Sequence, residues 1–521
     1  MAFEFLLVVL TALGVSAYAS HLGLQPGVVV VLVATIVSFV PGVPHFEFSP
    51  ELILGVIMPP LLFSASRDFP VSRFAANARS ILGLGVFLVA LTAIVVAFVA
   101  NWYLPALTLS GAFVLASIVS PPDTITTVVH GREFGLTNKC VSILTGESIV
   151  NDATALTLFT AATLAVTRSD AFISNPLLLF GYASIVGIIV GLVMGMVATA
   201  IRTKLHNPSA ESVVGIILPF AAYLTAEHFH ASGVLAVVVS GFKLAIHSTL
   251  SERIHISAET RVQEAAIWPA IDTMLEAIVF AFIGLQAKTV LDTLRHEATP
   301  ANQILTLTAI ILALLVVVRM LWVWVLFRSG LRTSYDRARN QLVRYNSDDL
   351  GIGRVSGPEA FLIGWTGMRG IVTIGAAASL PLTVANGGPF PARDEIQTVA
   401  YLVAFTTLVV QASLLPVFAR RFKLDLETDQ HESNLEISRA MDVARQHWFP
   451  QEQFDRFDYP QQRQVFETQR VAVAHAVRSN EVTDYGARVV IQGIDHSEIA
   501  HSKRVEIFAA VRSEYALPEQ S

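Results

Sequence analysis

The sequence predicts an all-α polytopic membrane protein, and three observations carry that prediction. Hydrophobic residues make up 53% of the 521-residue chain and charged residues only 15%, where soluble domains carry roughly 25% charged residues. Apolar stretches near the length of a membrane span follow one another to about residue 419. The basic residues between those stretches alternate between rich and poor loops. A water-soluble chain cannot hide this much apolar surface behind so few charges; the mean hydropathy is +0.58. Net charge is −6, which gives nucleic-acid binding no electrostatic support. The single cysteine, Cys140, excludes an internal disulfide, a CxxC redox motif and a cysteine-rich metal site.

The spans are read in order as 4–18, 26–41, 50–66, 80–103, 106–130, 140–166, 176–201, 212–228, 233–247, 269–287, 302–327, 359–382 and 396–419, about thirteen transmembrane helices. A crossing needs about 20 residues. The first stretch lacks a basic leader and is preceded by Glu4, so it reads as a retained span rather than a signal peptide. Loop charge tests the order. The loops 67–79, 131–139, 202–211, 243–268, 328–358 and 420–423 hold 19 Lys and Arg, and the alternate loops hold four: Arg168, Lys288, Arg295 and Arg393. Positive residues stay on the cytoplasmic side. The expected topology is therefore N-terminus out and C-terminus cytoplasmic, in a plasma membrane, the inner membrane of a bacterium.

The chain divides into a transmembrane part, 1–423, and a tail, 424–521, with 17 acids against 10 bases and no stretch able to span. Helical periodicity at 431–447, 460–479 and 497–515 predicts a helical cytoplasmic tail.

An ionised group inside the bilayer costs about 2.5 to 3.5 kcal/mol on insertion scales, so each one needs a reason. Away from span ends these are Asp123, Glu147, Asp152, Arg319 and Arg369, with Asp272 and Glu276 nearer the start of theirs. In Ser120-Pro121-Pro122-Asp123-Thr124 two prolines remove two N–H donors and must interrupt the helix. Freed carbonyls at that depth are tolerated only where they line a cavity or find protein partners. An aspartate beside them supplies what a dehydrated monovalent cation needs. In Gly146-Glu147-Ser148-Ile149-Val150-Asn151-Asp152-Ala153, Glu147 and Asn151 stand one helical turn apart, as do Ser148 and Asp152. One carboxylate then faces a cavity while the other pairs with a base. Gly364, Gly367 and Gly370 weaken a second span around Arg369 by about 1 kcal/mol each relative to alanine. Arg319, alone in an apolar helix, almost requires an acidic partner.

Two interrupted helices, one in each half, point to inverted repeats whose broken helices cross at the midplane, the pattern of a secondary transporter rather than an enzyme. A cavity carboxylate holds either a proton or a cation, which couples the two flows. There is no GxxxxGK[ST] motif for ATP, so the driving force is an ion gradient. An intramembrane aspartyl protease would leave Glu147 and the arginines without a role, and a K⁺ channel would show a filter sequence that is absent.

Pro59-Pro60-Leu61-Leu62-Phe63, the proline-aspartate break, Gly146-Glu147-Ser148 with Asn151-Asp152, and Gly367-Met368-Arg369-Gly370 occur in the order seen in monovalent cation:proton antiporters. Over about residues 5 to 420 the chain resembles the NhaP-type sodium/proton branch. The resemblance implies an ion-carrying core and a fixed dimerisation region, working by elevator-type alternating access in a homodimer within the lipid membrane and serving pH homeostasis. It implies Asp152 as the carboxylate that exchanges Na⁺ (or Li⁺ or K⁺) for H⁺, and Asp123 as the ion-binding or orienting acid at the crossing, with Ser148, Asn151 and Thr124 beside them. Glu147 is expected in a structural ion pair, with Arg319 preferred and Arg369 second. No cofactor is implied beyond the transported Na⁺ and H⁺. One departure stands out: the more familiar break is Thr-Asp-Pro, whereas here Pro121 and Pro122 precede the acid and Thr124 follows it.

Overall fold

A computed structural model describes residues 2–41, 53–123, 136–167, 175–205, 207–250, 257–296, 299–328, 355–385, 387–422, 424, 426–448, 454, 459–479 and 481–514. Thr124 and most of the basic 328–358 loop lie outside the described residues. Those described are helical but for short connections and one isolated antiparallel bridge, Thr383 with Pro389. In chain order the helices are α1 (Ala2–His21), α2 (Pro26–Ser38), α3 (Met58–Asp68), α4 (Val71–Leu82), α5 (Val89–Tyr103), α6 (Leu109–Val119) and α7 (Asn138–Thr167). There follow α8 (Pro176–Arg202), α9 (Pro208–His228), α10 (Gly233–Leu250), α11 (Ala258–Leu285), α12 (Ala287–His296) and α13 (Ala301–Arg328). The second broken span is α14 (Gly357–Trp365) and α15 (Ile371–Ala378), followed by α16 (Arg393–Thr406) and α17 (Ala412–Phe422). The tail forms α18 (Leu426–Arg445), α19 (Tyr459–Arg478) and α20 (Asp484–Glu514).

Among the described residues, seven helical segments are long and apolar enough to cross a membrane, and four shorter helices are apolar as well. Their outer surfaces expose leucine, isoleucine, valine and phenylalanine, as at Ile36, Phe98, Ile185, Leu224 and Leu321. Water would penalise such a surface and hydrocarbon would not.

Packing sorts the helices into two bodies. α1, α2, α3, α8, α9, α10 and α11 pack chiefly on one another, with α8 along α10 and α11 along α2. α4 to α7 and α13 to α17 form the other body, in which α6 lies on α7, α13 on α5 and α16 on both α13 and α15. Both broken spans belong to this second body.

Among the described residues, three segments of wide π-helical turns interrupt the ladder: Ile53–Ile57, Gly83–Leu88 and Thr407–Gln411. Such turns often mark functional sites. Here each meets the second body's chemistry. A Cβ on Gly85 would lie 2.8 Å from Val150 Cβ and 3.2 Å from the Asn151 nitrogen. Ile53 approaches Gly375 of α15 to 2.6 Å of the same virtual atom. Thr407 contacts Arg369.

Two boundaries differ from the sequence reading. The span read as 269–287 begins at Ala258, with Pro269 inside the helix. Its first turns are polar, and three of the polar groups have partners on other helices: Thr260 donates to Glu211, Glu264 accepts from Arg202, and Arg261 holds Asp495. Hydropathy does not register a helix whose charged residues are paired. The last tail helix starts at Asp484 rather than 497, because Ala487, Val490, Ile491 and Ile494 form an apolar stripe buried against α18 and α19.

Candidate functional site

The first break is built by proline chemistry. α6 ends at Val119, and Ser120, Pro121, Pro122 and Asp123 follow without helical structure. The second break, Thr366 to Gly370, separates α14 from α15. The two non-helical segments cross and touch: the Asp123 amide donates to the Met368 carbonyl at 2.6 Å. In the reverse direction, the Ile371 amide donates to Asp123 Oδ2 at 3.1 Å. Asp123 therefore caps α15 from another helix, a position that favours a carboxylate at an N-terminus. Gly370 makes this possible, since a Cβ there would run into the Asp123 carboxyl group.

The carbonyls freed at the first break do not stay bare. Pro122 O accepts from Asn151 Nδ2 at 2.7 Å. Val119 O accepts from Arg369 Nε at 3.0 Å, and Ser120 O lies 3.5 Å from Arg369 Nη2. The same guanidinium donates through Nη1 to Gly367 O, within its own break. The Arg369 amide donates to Thr407 Oγ1 at 2.9 Å. Arg369 thus joins the carbonyl ends of both half-helices, where the helix dipoles favour a cation.

This corrects the second choice made for the ion pair. Glu147 pairs with Arg319: Nη2 lies 2.9 Å from Oε2, and Nη1 donates to Oε1. Arg319 also donates from Nε and Nη2 to Ile363 O, at 3.2 and 2.9 Å. Both partners are buried, Glu147 at 0% and Arg319 at 2% exposure. A forked guanidinium–carboxylate contact with its spare N–H groups satisfied is the geometry in which a buried pair can persist. Arg369 is spent on carbonyls instead.

Asp152, Asn151 and Ser148 are buried on α7, and Thr373 is buried on α15. Asp152 Oδ1, Asn151 Oδ1 and Thr373 Oγ1 have no hydrogen-bond partner among the described residues. Buried acceptors without donors are rare and need an explanation. A proton or a small cation is one kind of partner that such oxygens can take. Asn151 is thus divided, its amide nitrogen bracing the first break and its oxygen left over. Asp272, the weaker candidate, accepts from Ser64 at 2.6 Å in the first body, so it and Glu276 of α11 stand outside the crossing helices.

Sequence reasoning missed Thr373, Thr407 and Met368. Thr373 and Thr407 are ordinary residues of apolar helices, and Met368 contributes only its backbone, so no local signal marks them.

The chain matches the sodium/hydrogen exchanger transmembrane family over residues 6–421. The chain belongs to this family. It is a family of transporters, and this member is an integral multi-pass membrane protein. Among its relatives, an uncharacterized Na⁺/H⁺ exchanger of Escherichia coli strain K12 is 30% identical over 77% of this chain and 72% of its own length. A sodium, potassium, lithium and rubidium/H⁺ antiporter of Bacillus pumilus is 29% identical over 79% of this chain and 61% of its own. The fold of this exchanger resembles that of the sodium proton antiporter MjNhaP1 from Methanocaldococcus jannaschii, with a TM-score of 0.59 at 16% identity, covering 80% of this chain and 97% of that one. The family is thus that of the sodium/hydrogen exchangers, and the likeness to MjNhaP1 shows the fold.

Proposed function

We propose that this exchanger moves Na⁺, and with lower or equal preference Li⁺ or K⁺, against H⁺ by alternating access, with Asp152 as the shared carboxylate. The observation that carries the reading is the buried Oδ1 of Asp152, without a donor among the described residues, on the helix that faces the crossing. Asn151 and Ser148 of the same helix and Thr373 of α15 would supply neutral oxygens to the ion, and Asp123 would fix the crossing and orient the ion. Thr124 is kept as a candidate neighbour. The broad cation range in the name of the Bacillus pumilus relative supports leaving K⁺ and Li⁺ in the set.

Charge at the crossing supports a 1:1 exchange. Glu276 of α11 lies close enough to Asp123 to feel its charge but belongs to the first body; the buried ionisable groups that the second body holds at the crossing are the three acids Asp123, Glu147 and Asp152 and the two bases Arg319 and Arg369. Fully ionised they sum to one negative charge, which either one Na⁺ or one H⁺ neutralises. The loaded carrier then has the same charge in both directions, and exchange is electroneutral.

The rest of the reading follows the same argument. The body holding both breaks moves as the carrier, and the other body stays fixed and forms a homodimer in the bilayer. The thirteen spans, inverted repeats, outward N-terminus and cytoplasmic tail belong to this proposal, as does a bacterial inner membrane with a role in pH homeostasis. The test is dissipation of a preformed ΔpH in everted vesicles on adding Na⁺, Li⁺ or K⁺. Dissipation by at least one of them, saturable and absent from vesicles lacking the protein, is the expected outcome; none by any cation overturns it.

A further inference from the structure

The tail touches both bodies, and it does so with unequal strength. On the first body, Arg261 of α11 makes a forked contact with Asp495 of α20, Nε to Oδ2 at 2.6 Å and Nη2 to Oδ1 at 2.5 Å. Arg470 of α19 adds a second guanidinium to Asp495 at 2.8 Å and also donates to Glu498. The Asp495 side chain is 2% exposed. Around it, α20 packs on α11 and α19 on α10. This is a desolvated, two-arginine anchor of the kind that does not open readily.

The contacts to the second body are lighter. Arg73 of α4 meets Glu436 of α18 through a single nitrogen at 3.1 Å, with 21% of the Arg73 side chain exposed. Its guanidinium also sits 3.9 Å above the ring of Tyr485 on α20. Asn138, the first residue of α7, donates to Ser433 of α18 at 2.8 Å. Partly exposed contacts of this kind form and break at low cost. α7 is the helix that carries Glu147, Asn151 and Asp152.

We propose that the tail is a latch: anchored on the scaffold body through Asp495, it grips the site-bearing body at Arg73 and Asn138 and slows its movement. This rests on the alternating-access reading, since a brake needs two bodies that move past each other. The asymmetry sets which end opens. The Asp495 anchor keeps the tail on the scaffold, and the Arg73 and Asn138 contacts must separate each time the site-bearing body shifts. Losing them removes a barrier to movement without touching a residue of the crossing.

The test uses the full-length protein in proteoliposomes. Glu436→Gln and Asn138→Ala, singly and together, are expected to raise the rate of Na⁺-driven H⁺ movement by about 3- to 10-fold, the effect of one or two weak contacts, with an unchanged KM for Na⁺. In a second arm, Asn138→Cys and Ser433→Cys are combined with Cys140→Ala and joined by a short, reducible bis-thiosulfonate reagent. Cross-linking is expected to stop exchange and reductant to restore it. Unchanged or slower exchange in the loosened variants, or full-rate exchange in the cross-linked protein, overturns the latch. Absence of Na⁺-driven H⁺ movement in the unmodified protein overturns the transport reading instead, so the two failures are told apart.

Discussion

Asp152 offers the unmodified protein a carboxylate that can be neutralised by H⁺ or by Na⁺, and its amide analogue offers neither. Asp152→Asn is therefore expected to abolish Na⁺-dependent proton movement while leaving expression and insertion intact, checked by ΔpH dissipation on equal amounts of protein. Appreciable exchange in that variant would assign the carrier role elsewhere. Glu147 answers to a different physics. Removing one member of a buried pair strands the other, at a cost of roughly 3 to 5 kcal/mol. Glu147→Gln should lower thermal stability in detergent far more than it alters Na⁺ affinity. A double-mutant cycle of Glu147 with Arg319 should show strong coupling, and with Arg369 near additivity, since Arg369 bonds carbonyls of Val119, Ser120 and Gly367. At this scale the need of Glu147 for a buried basic partner was legible because a buried charge is costly wherever it sits. That Asp123 caps α15 was not, because its donor is the amide of Ile371, 248 residues away.

The breaks are properties of elements. Pro121 and Pro122 interrupt α6 for lack of N–H donors, and this is readable from the residues alone. The second break needs its partner. Gly370 stands where the Asp123 carboxyl group leaves no room for a Cβ, and its backbone, at φ −141° and ψ −124°, leads straight into α15. Gly370→Ala must push the two half-helices apart or turn Asp123 away from the Ile371 amide. The expected result is loss of at least 10-fold in exchange rate, the order of one lost charge-assisted hydrogen bond, with the protein still inserted; wild-type exchange would mean that the Asp123 cap is dispensable. The polar start of α11 shows the opposite limit of reading elements from hydropathy. Glu264 and Arg261 are satisfied by Arg202 of another membrane helix and Asp495 of the tail, and Thr260 by Glu211, so the helix is stable where the local pattern suggests a loop.

At the scale of the molecule, two bodies and a tail give two expectations. The tail holds none of the buried charges of the crossing, so removing residues from 424 onward should leave Na⁺/H⁺ exchange in place, at a rate no lower than that of the whole chain. Complete loss in a well-expressed truncation would make the tail part of the carrier. On the proposed 1:1 exchange the loaded carrier has the same charge in both directions, so membrane potential should not change the rate. Proteoliposomes clamped with valinomycin at either sign should give the same rate and end-point. A response to potential would mean more than one H⁺ per Na⁺ and would bring Asp123 or Glu147 into the proton path.

The membrane class, the apolar segments, the first break and the presence of costly charges inside the spans were determined by the sequence by itself. Each follows from a cost that one residue or one short segment bears alone: apolar surface in water, a missing N–H, a charge in hydrocarbon. The order of the motifs added the family to that reading. The tertiary structure alone decided the pairings: Arg319 rather than Arg369 for Glu147, Arg369 for the carbonyls of both breaks, Asn151 for Pro122, and Arg261 for Asp495. A buried donor must find an acceptor, but which one it finds depends on the distance and direction between groups hundreds of residues apart, and only the packed helices fix these.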